Sequence, residues 1–170
     1  MELSLHQATL ADLLIVKNLV PYYIYDMSEY MGWPCGADGS FEGCQFIETY
    51  WSEAGKHAFV LRSGNELGGF AMVRGNHAEP EIDYSIAEFF VLRKFRGQGT
   101  GERIARHLFD RFRGRWMVEQ LELNQPAVSF WRKVIHRYCD GTFEQRVGKS
   151  NWGTMNVILF QNKLTAEPCR

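Results

Sequence analysis

The segment Arg96-Gly97-Gln98-Gly99-Thr100-Gly101 constrains this 170-residue chain more than any other. Residues 86–92 before it form a nearly continuous apolar run, broken only by Glu88, as expected for a strand covered on both faces. After it, Ile104, Ala105, Leu108, Phe109 and Phe112 fall on one helical face, with Arg103, Arg106 and Arg111 elsewhere. A strand that runs into a glycine-rich turn and opens a helix leaves backbone N–H groups unpaired at the positive helix end. Phosphate or pyrophosphate is the natural guest of such a turn. The spacing excludes the two commonest phosphate loops. A dinucleotide fingerprint needs glycine where Glu102 or Ile104 stands, and a P-loop needs Lys and Ser/Thr where Glu102 and Arg103 follow Gly101.

The rest of the chain supplies a frame for that turn. A first strand is expected over 3–8, and Thr9 with Asp12 three residues on signals a helix start. Leu13, Val16, Val20, Ile24 and Met27 continue with near-helical spacing, and Pro21 within them predicts a kink or a break into two helices. Residues 33–43 are rich in Gly and Pro and read as a loop, with a short helix expected over 46–51. Strands over 58–62 and 69–73 form a hairpin across Ser63-Gly64-Asn65-Glu66, and 76–81 is a turn region. A strand over 116–121 precedes a second apolar helical stripe made by Ala127, Phe130, Trp131, Val134, Ile135 and Tyr138. Strands over 142–147 and 154–160 close the chain.

Composition narrows the class. Hydrophobic residues make up 45% of the chain, enough for the core of one domain spanning 1–170. A formal net charge of −1 argues against a protein dominated by nucleic-acid contacts; Arg111, Arg113 and Arg115 read as a solvated helix end. No basic-then-apolar leader and no membrane-length apolar run are present, which predicts a cytoplasmic protein without membrane partners. Cys35, Cys44, Cys139 and Cys169 show no metal spacing, so free thiols and no metal site are expected.

Two motifs in order make the resemblance specific. The R-x-x-G-x-G loop is similar to the acetyl-CoA pyrophosphate loop of the GNAT superfamily of N-acetyltransferases. Asn124-Gln125-Pro126-Ala127-Val128-Ser129-Phe130-Trp131 resembles that family's N-x-x-A-x-x-F-[YW] segment. The likeness is sharp over roughly 85–138 and looks most like a bacterial subgroup of predicted acetyltransferases. It implies an α/β fold: a GNAT-like mixed central sheet with helices on both faces and a splayed central strand pair. It also implies acetyl-CoA as acyl donor, held by Arg96, Gly97, Gln98, Gly99, Thr100 and Gly101 at the pyrophosphate. A strand edge at Phe89, Phe90 and Val91 pairs with the pantetheine arm, and Asn124 bonds that arm near the thioester. Asn124 also reads as a plain helix cap, since it precedes Gln125-Pro126.

Acetyl transfer to an amine needs a base, an oxyanion stabiliser and a departing thiolate. Glu88 is the candidate base, its pKa raised by apolar neighbours; a carboxylate ion-paired near a strand end is the competing reading. Polyamine acetyltransferases carry their proposed basic glutamate one position earlier in a similar strand, where Ala87 stands here. Many relatives carry a tyrosine acid seven residues after the asparagine; Trp131 occupies that position, and Tyr138 lies two turns further on. The acceptor, a small-molecule amine or a peptide, is expected near Tyr25, Glu29 and Trp33, among aromatics and acids suited to a cation. The alternative there is that the tyrosines pack the helix while Asp26 and Glu29 stay solvated. A covalent route through Cys44 or Cys139 is disfavoured. Two rivals stay open: an acyl-CoA-binding sensor without turnover, and an acyltransferase using another acyl donor or a hydroxyl acceptor. Dimerisation, common in the family, is neither required nor excluded.

Overall fold

The computed structural model describes residues 3–41 and 45–162. Cys44, Cys169 and Gly43 of the expected loop lie outside them. Seven strands form one open, mixed sheet in the order β1-β2-β3-β4-β5-β7-β6. Their ranges are β1 Ser4–Gln7, β2 Lys56–Ser63, β3 Glu66–Gly75, β4 Tyr84–Val91, β5 Arg115–Leu121, β6 Glu144–Ser150 and β7 Gly153–Gln161. The helices are α1 Leu13–Met31, α2 Thr49–Ser52, α3 Thr100–Arg111 and α4 Gln125–Tyr138. The chain divides into two compact units, residues 1–74 with 86–100, and 75–85 with 101–170.

In the first unit, Asp12 accepts hydrogen bonds from the Thr9 backbone N–H at 2.9 Å and the Thr9 hydroxyl at 2.8 Å. The helix start read from the sequence is therefore real, although it opens on a short 3-10 turn, Leu10–Asp12, ahead of α1. The helix does not break at Pro21. Both Pro21 and Lys17 are exposed, so the Lys17 carbonyl deprived of its N–H donor faces water and the lost bond costs less. Val16, Leu19, Val20 and Ile24 of α1 cover Ala58 and Val60 of β2, Phe70 and Met72 of β3, and Phe90 of β4. The hairpin register pairs Lys56 with Arg74, Ala58 with Met72 and Val60 with Phe70, so these residues share the α1-covered face.

One close approach sets the spacing of β3 and β4. Gly69 has φ +145°, and a Cβ placed there would lie 1.9 Å from the Phe90 carbonyl oxygen. Next to it, the Leu92 N–H donates to Gly68 O at 2.8 Å. The sequence pattern marks Gly69 only as part of a strand.

In the second unit, Phe109 of α3 lies between Trp116 of β5 (5.0 Å between ring centroids), Tyr138 of α4 (5.2 Å) and Phe160 of β7 (4.8 Å). The apolar stripes read from the sequence are these contacts. β5 and β7 pair antiparallel from Arg115–Gln161 to Leu121–Met155. Their other face buries Met117, Val157 and Leu159 with Ile82. Cys35 and Cys139 are free thiols. Among the described residues, no helix is long and apolar enough to cross a membrane.

Candidate active site

The glycine turn has the conformation its composition calls for. Gly97 and Gly99 sit at φ +76° and +72°, with nothing within 4 Å of where a Cβ would be. Gly101 instead lies in the first turn of α3, so Gly97 and Gly99 are the turn's glycines with left-handed backbone. Among the described residues, the amides of Gly97, Gln98 and Gly99 make no turn or loop hydrogen bond to the protein. Thr100 opens α3 and is buried. Unpaired N–H groups at the start of a 12-residue helix, with open space beside them, fit a diphosphate. A side chain at Gly99 imposes left-handed strain of roughly 1–2 kcal/mol and fills that space. Gly99→Val is therefore expected to raise the KM for acetyl-CoA about tenfold or more, measured by thiol release.

The turn is anchored from outside its own sequence. Arg96 donates through Nε to Val91 O at 2.6 Å and through Nη2 to Asp26 at 2.5 Å, while its guanidinium lies 5.6 Å from the Phe90 ring centroid. Arg93 donates to the other oxygen of Asp26 at 2.7 Å. Burial pushes the Asp26 carboxyl up, but the bonds from Arg96 and Arg93 outweigh it and hold the carboxyl below its usual range. Asp26 is thus not solvated, as the sequence alternative had it; it clamps the approach to the turn. Arg96 belongs to that clamp, though its side chain remains 43% exposed. Asp26→Asn leaves both arginines without their counter-charge, and since those arginines are exposed the loss is discounted to about 1 kcal/mol. An increase of about fivefold in the KM for acetyl-CoA is expected, with kcat little changed.

Glu88 is half-buried on β4, three residues before Val91. Its hydrogen bond with Tyr23 of α1, whose ring also meets Phe90, places it on the α1-covered face. Burial raises its pKa from the ordinary 4.5 to about 7, against the opposing pull of a hydrogen bond with Tyr23 and the Arg74 charge. Tyr23 itself packs edge-on against Phe70 and Phe90, each at 5.9 Å. No short-range pattern links Tyr23 or Arg74 to Glu88, and sequence reading missed both.

The remaining site candidates are dispersed. Phe89 is half-buried, whereas Phe90 and Val91 are buried. Tyr25 is 58% exposed and meets Phe41 edge-on, Glu29 is exposed, and Trp33 packs against the first-unit core. The tyrosines of α1 therefore divide: Tyr23 packs, while Tyr22 and Tyr25 face outward. Asn124 belongs to the second unit and caps α4, its Oδ1 accepting from the Ala127 N–H at 3.1 Å. Trp131 is buried against Phe109 and Phe130. Tyr138 donates to Asp110 at 2.8 Å, and burial followed by that bond holds its pKa far above the usual phenol value, so it is a poor acid. Cys139 is buried with its thiol on Ile135 O at 3.0 Å, which removes it as a nucleophile. Among the described residues, no group of three His, Cys, Asp or Glu side chains could hold a metal ion.

The open mixed sheet of seven strands carries the glycine turn between β4 and α3. The chain belongs to the acetyltransferase (GNAT) family, whose model matches residues 22–136. It is an acetyltransferase with acetyl-CoA as its donor. Similar solved structures include an acetyltransferase from Thermus thermophilus, 17% identical over 95% of this chain and 97% of that one, with TM-score 0.63. The aminoglycoside acetyltransferase AAC(6')-Ib, crystallised with coenzyme A, is 14% identical over 94% and 95% of the two chains, with TM-score 0.63. A spermidine N-acetyltransferase from Vibrio cholerae is 12% identical over 94% of each chain, with TM-score 0.61. No curated protein sequence is significantly similar to the chain.

Proposed function

We propose that residues 1–170 form a single cytosolic domain that moves an acetyl group from acetyl-CoA to an amine by direct attack in a ternary complex. The amides of Gln98 to Gly101 hold the pyrophosphate, with Arg96 and Gly97 shaping the approach. The β4 edge at Phe89, Phe90 and Val91 pairs with the pantetheine amides, and Asn124 contacts the arm near the thioester while capping α4. Tyr25, Glu29 and Trp33 border the acceptor. The amine nitrogen attacks the thioester carbonyl, a C–N bond forms, and the C–S bond breaks. Glu88 takes the amine proton, and the CoA thiolate takes its own from solvent.

The observation that carries this reading is the Glu88 carboxyl on β4, raised to about 7, beside the proposed donor edge. A base is most useful when its pKa lies near the working pH. Tyr23→Phe tests the setting: losing a hydrogen bond that favours the charged carboxylate moves the acidic limb of the rate profile to higher pH. A limb that stays put, or moves down, excludes Glu88 as its source.

One observation favours the sensor reading. Trp131 is buried where relatives carry tyrosine, and Tyr138 keeps its proton on Asp110. CoA release measured over amines, polyamines, aminoglycosides and peptides separates the two. A sensor is stabilised by acetyl-CoA yet releases no thiol with any acceptor.

A further inference from the structure

The α1-covered face of the first sheet unit ends in charge. Lys56 of β2 and Arg74 of β3 are register partners, and they continue the rows Ala58–Val60 and Met72–Phe70 beyond the apolar core. Glu88 of β4 reaches the same face, where it meets Tyr23 of α1 and feels the Arg74 charge. The two cations differ in one respect. Lys56 is paired with Glu53 at 2.6 Å and donates to Thr49 Oγ1 at 2.8 Å. Arg74, which is exposed, makes no ion pair within 4.0 Å among the described residues.

Beside them is an orphaned hydroxyl. Tyr50 of α2 is 4% exposed, with the Lys56 ammonium 5.5 Å from its ring centroid. Its Oη is buried without a hydrogen-bond partner. Burial raises the phenol's pKa; the Arg74 guanidinium, which approaches Oη as a charge and as a hydrogen-bond donor, opposes it, although no bond of good geometry closes on Oη. A buried hydroxyl without a good hydrogen bond is destabilising, and a bound acceptor atom removes that penalty. A guanidinium without a close ion pair and a neighbouring phenol O–H without a hydrogen bond of good geometry are both donors, and together they suit one guest: an oxyanion.

We propose that Arg74 and the Tyr50 hydroxyl bind a carboxylate carried by the acceptor, so that the amine delivered to Glu88 belongs to an amino acid or a similar amino-carboxylate. This rests on the transfer reading above and narrows its acceptor. The expected cradle for a simple cation fits less well. Asp26, the acid of α1 with the least exposed side chain in an ion pair, is already held by Arg93 and Arg96, and Arg74 repels a polyamine where it would have to dock.

The test is thiol release by the full chain with acetyl-CoA and matched acceptors: α-amino acids, the corresponding amino-acid amides, and spermidine. The best amino acid is expected to exceed its own amide in kcat/KM at least tenfold. Arg74→Gln, at an exposed position, is expected to abolish that preference, read as the acid-to-amide ratio of kcat/KM at one pH, because losing its charge also shifts Glu88 and moves both rates together. Tyr50→Phe is expected to reduce the preference without loss of thermal stability, since it removes an unpaired hydroxyl. Preference for the amide or for spermidine, or a preference for the acid that survives Arg74→Gln, overturns the proposal. Should no acceptor release thiol, calorimetry with the CoA-loaded protein decides the point separately. Binding of the amino acid but not the amide, lost in Arg74→Gln, supports the carboxylate site and counts only against transfer. Equal or absent binding of the two overturns it.

Discussion

Glu88→Gln is expected to lower kcat for amine acetylation by about 10²–10⁴-fold, the range a positioned general base contributes. Glutamine keeps the volume and can still accept from the Tyr23 hydroxyl, so packing survives while the proton acceptor does not. The wild-type rate is expected to rise with pH as Glu88 ionises near 7, and that limb is expected to vanish in the variant. Stability moves the other way, which separates chemistry from misfolding. A carboxyl raised from 4.5 to about 7 on folding binds its proton more tightly in the native state. Its contribution is therefore fully present below about pH 4.5 and is lost as pH rises through 7. At pH 8 the buried charge costs up to about 3 kcal/mol, at 1.36 kcal/mol for each pH unit. Glu88→Gln is thus expected to raise the Tm at pH 8 by several degrees and to leave it nearly unchanged at pH 4. A variant that retains the pH limb and full kcat removes Glu88 from the mechanism.

Gly69→Ala is expected to be the most damaging single methyl in the first unit. The new Cβ meets the Phe90 carbonyl oxygen at 1.9 Å and the Phe90 carbonyl carbon at 2.9 Å, both backbone atoms that no rotamer change can move away. The backbone at φ +145° adds its own strain. Strain of roughly 1–3 kcal/mol and overpacking of similar size sum to about 2–6 kcal/mol. That corresponds to a fall in Tm of about 4–24 °C for a chain of this size, at roughly 2–4 °C per kcal/mol. The displaced strand is the one carrying Phe89 to Val91, so affinity for acetyl-CoA is expected to fall with stability. Gly64→Ala is the control: it shares a positive φ, +57°, but meets nothing within 4 Å. Its cost is expected to stay near 1–2 kcal/mol with coenzyme affinity unchanged. Equal melting temperatures for the two variants contradict the close approach of β3 and β4.

The features legible in the sequence share one property: their partners lie within a few residues. Thr9 reaches Asp12, Asn124 reaches Ala127, and the apolar stripes of α3 and α4 repeat at helical spacing. The glycine turn is of the same kind, since the conformation of Gly97 and Gly99 and the helix start at Thr100 depend on neighbours in the chain. Of the two outcomes Pro21 allowed, the break does not occur: the residue and the carbonyl it leaves without a donor are on the exposed side of α1, and exposure is a tertiary property.

What escaped reading is what the sheet brings together. Asp26 holds Arg93 and Arg96 across 67 and 70 residues, and Tyr23 meets Glu88 across a similar stretch. Gly69 looks like an ordinary strand residue until β4 runs beside it. Local periodicity and turn chemistry are written in adjacent letters, so the anion-binding turn and its family could be inferred before any coordinates. The base's environment, the clamp on the turn and the placing of Arg74 beside Tyr50 and Glu88 depend on which strand lies next to which and on what α1 covers. Those choices minimise exposed apolar surface over the whole chain, and no short segment encodes them.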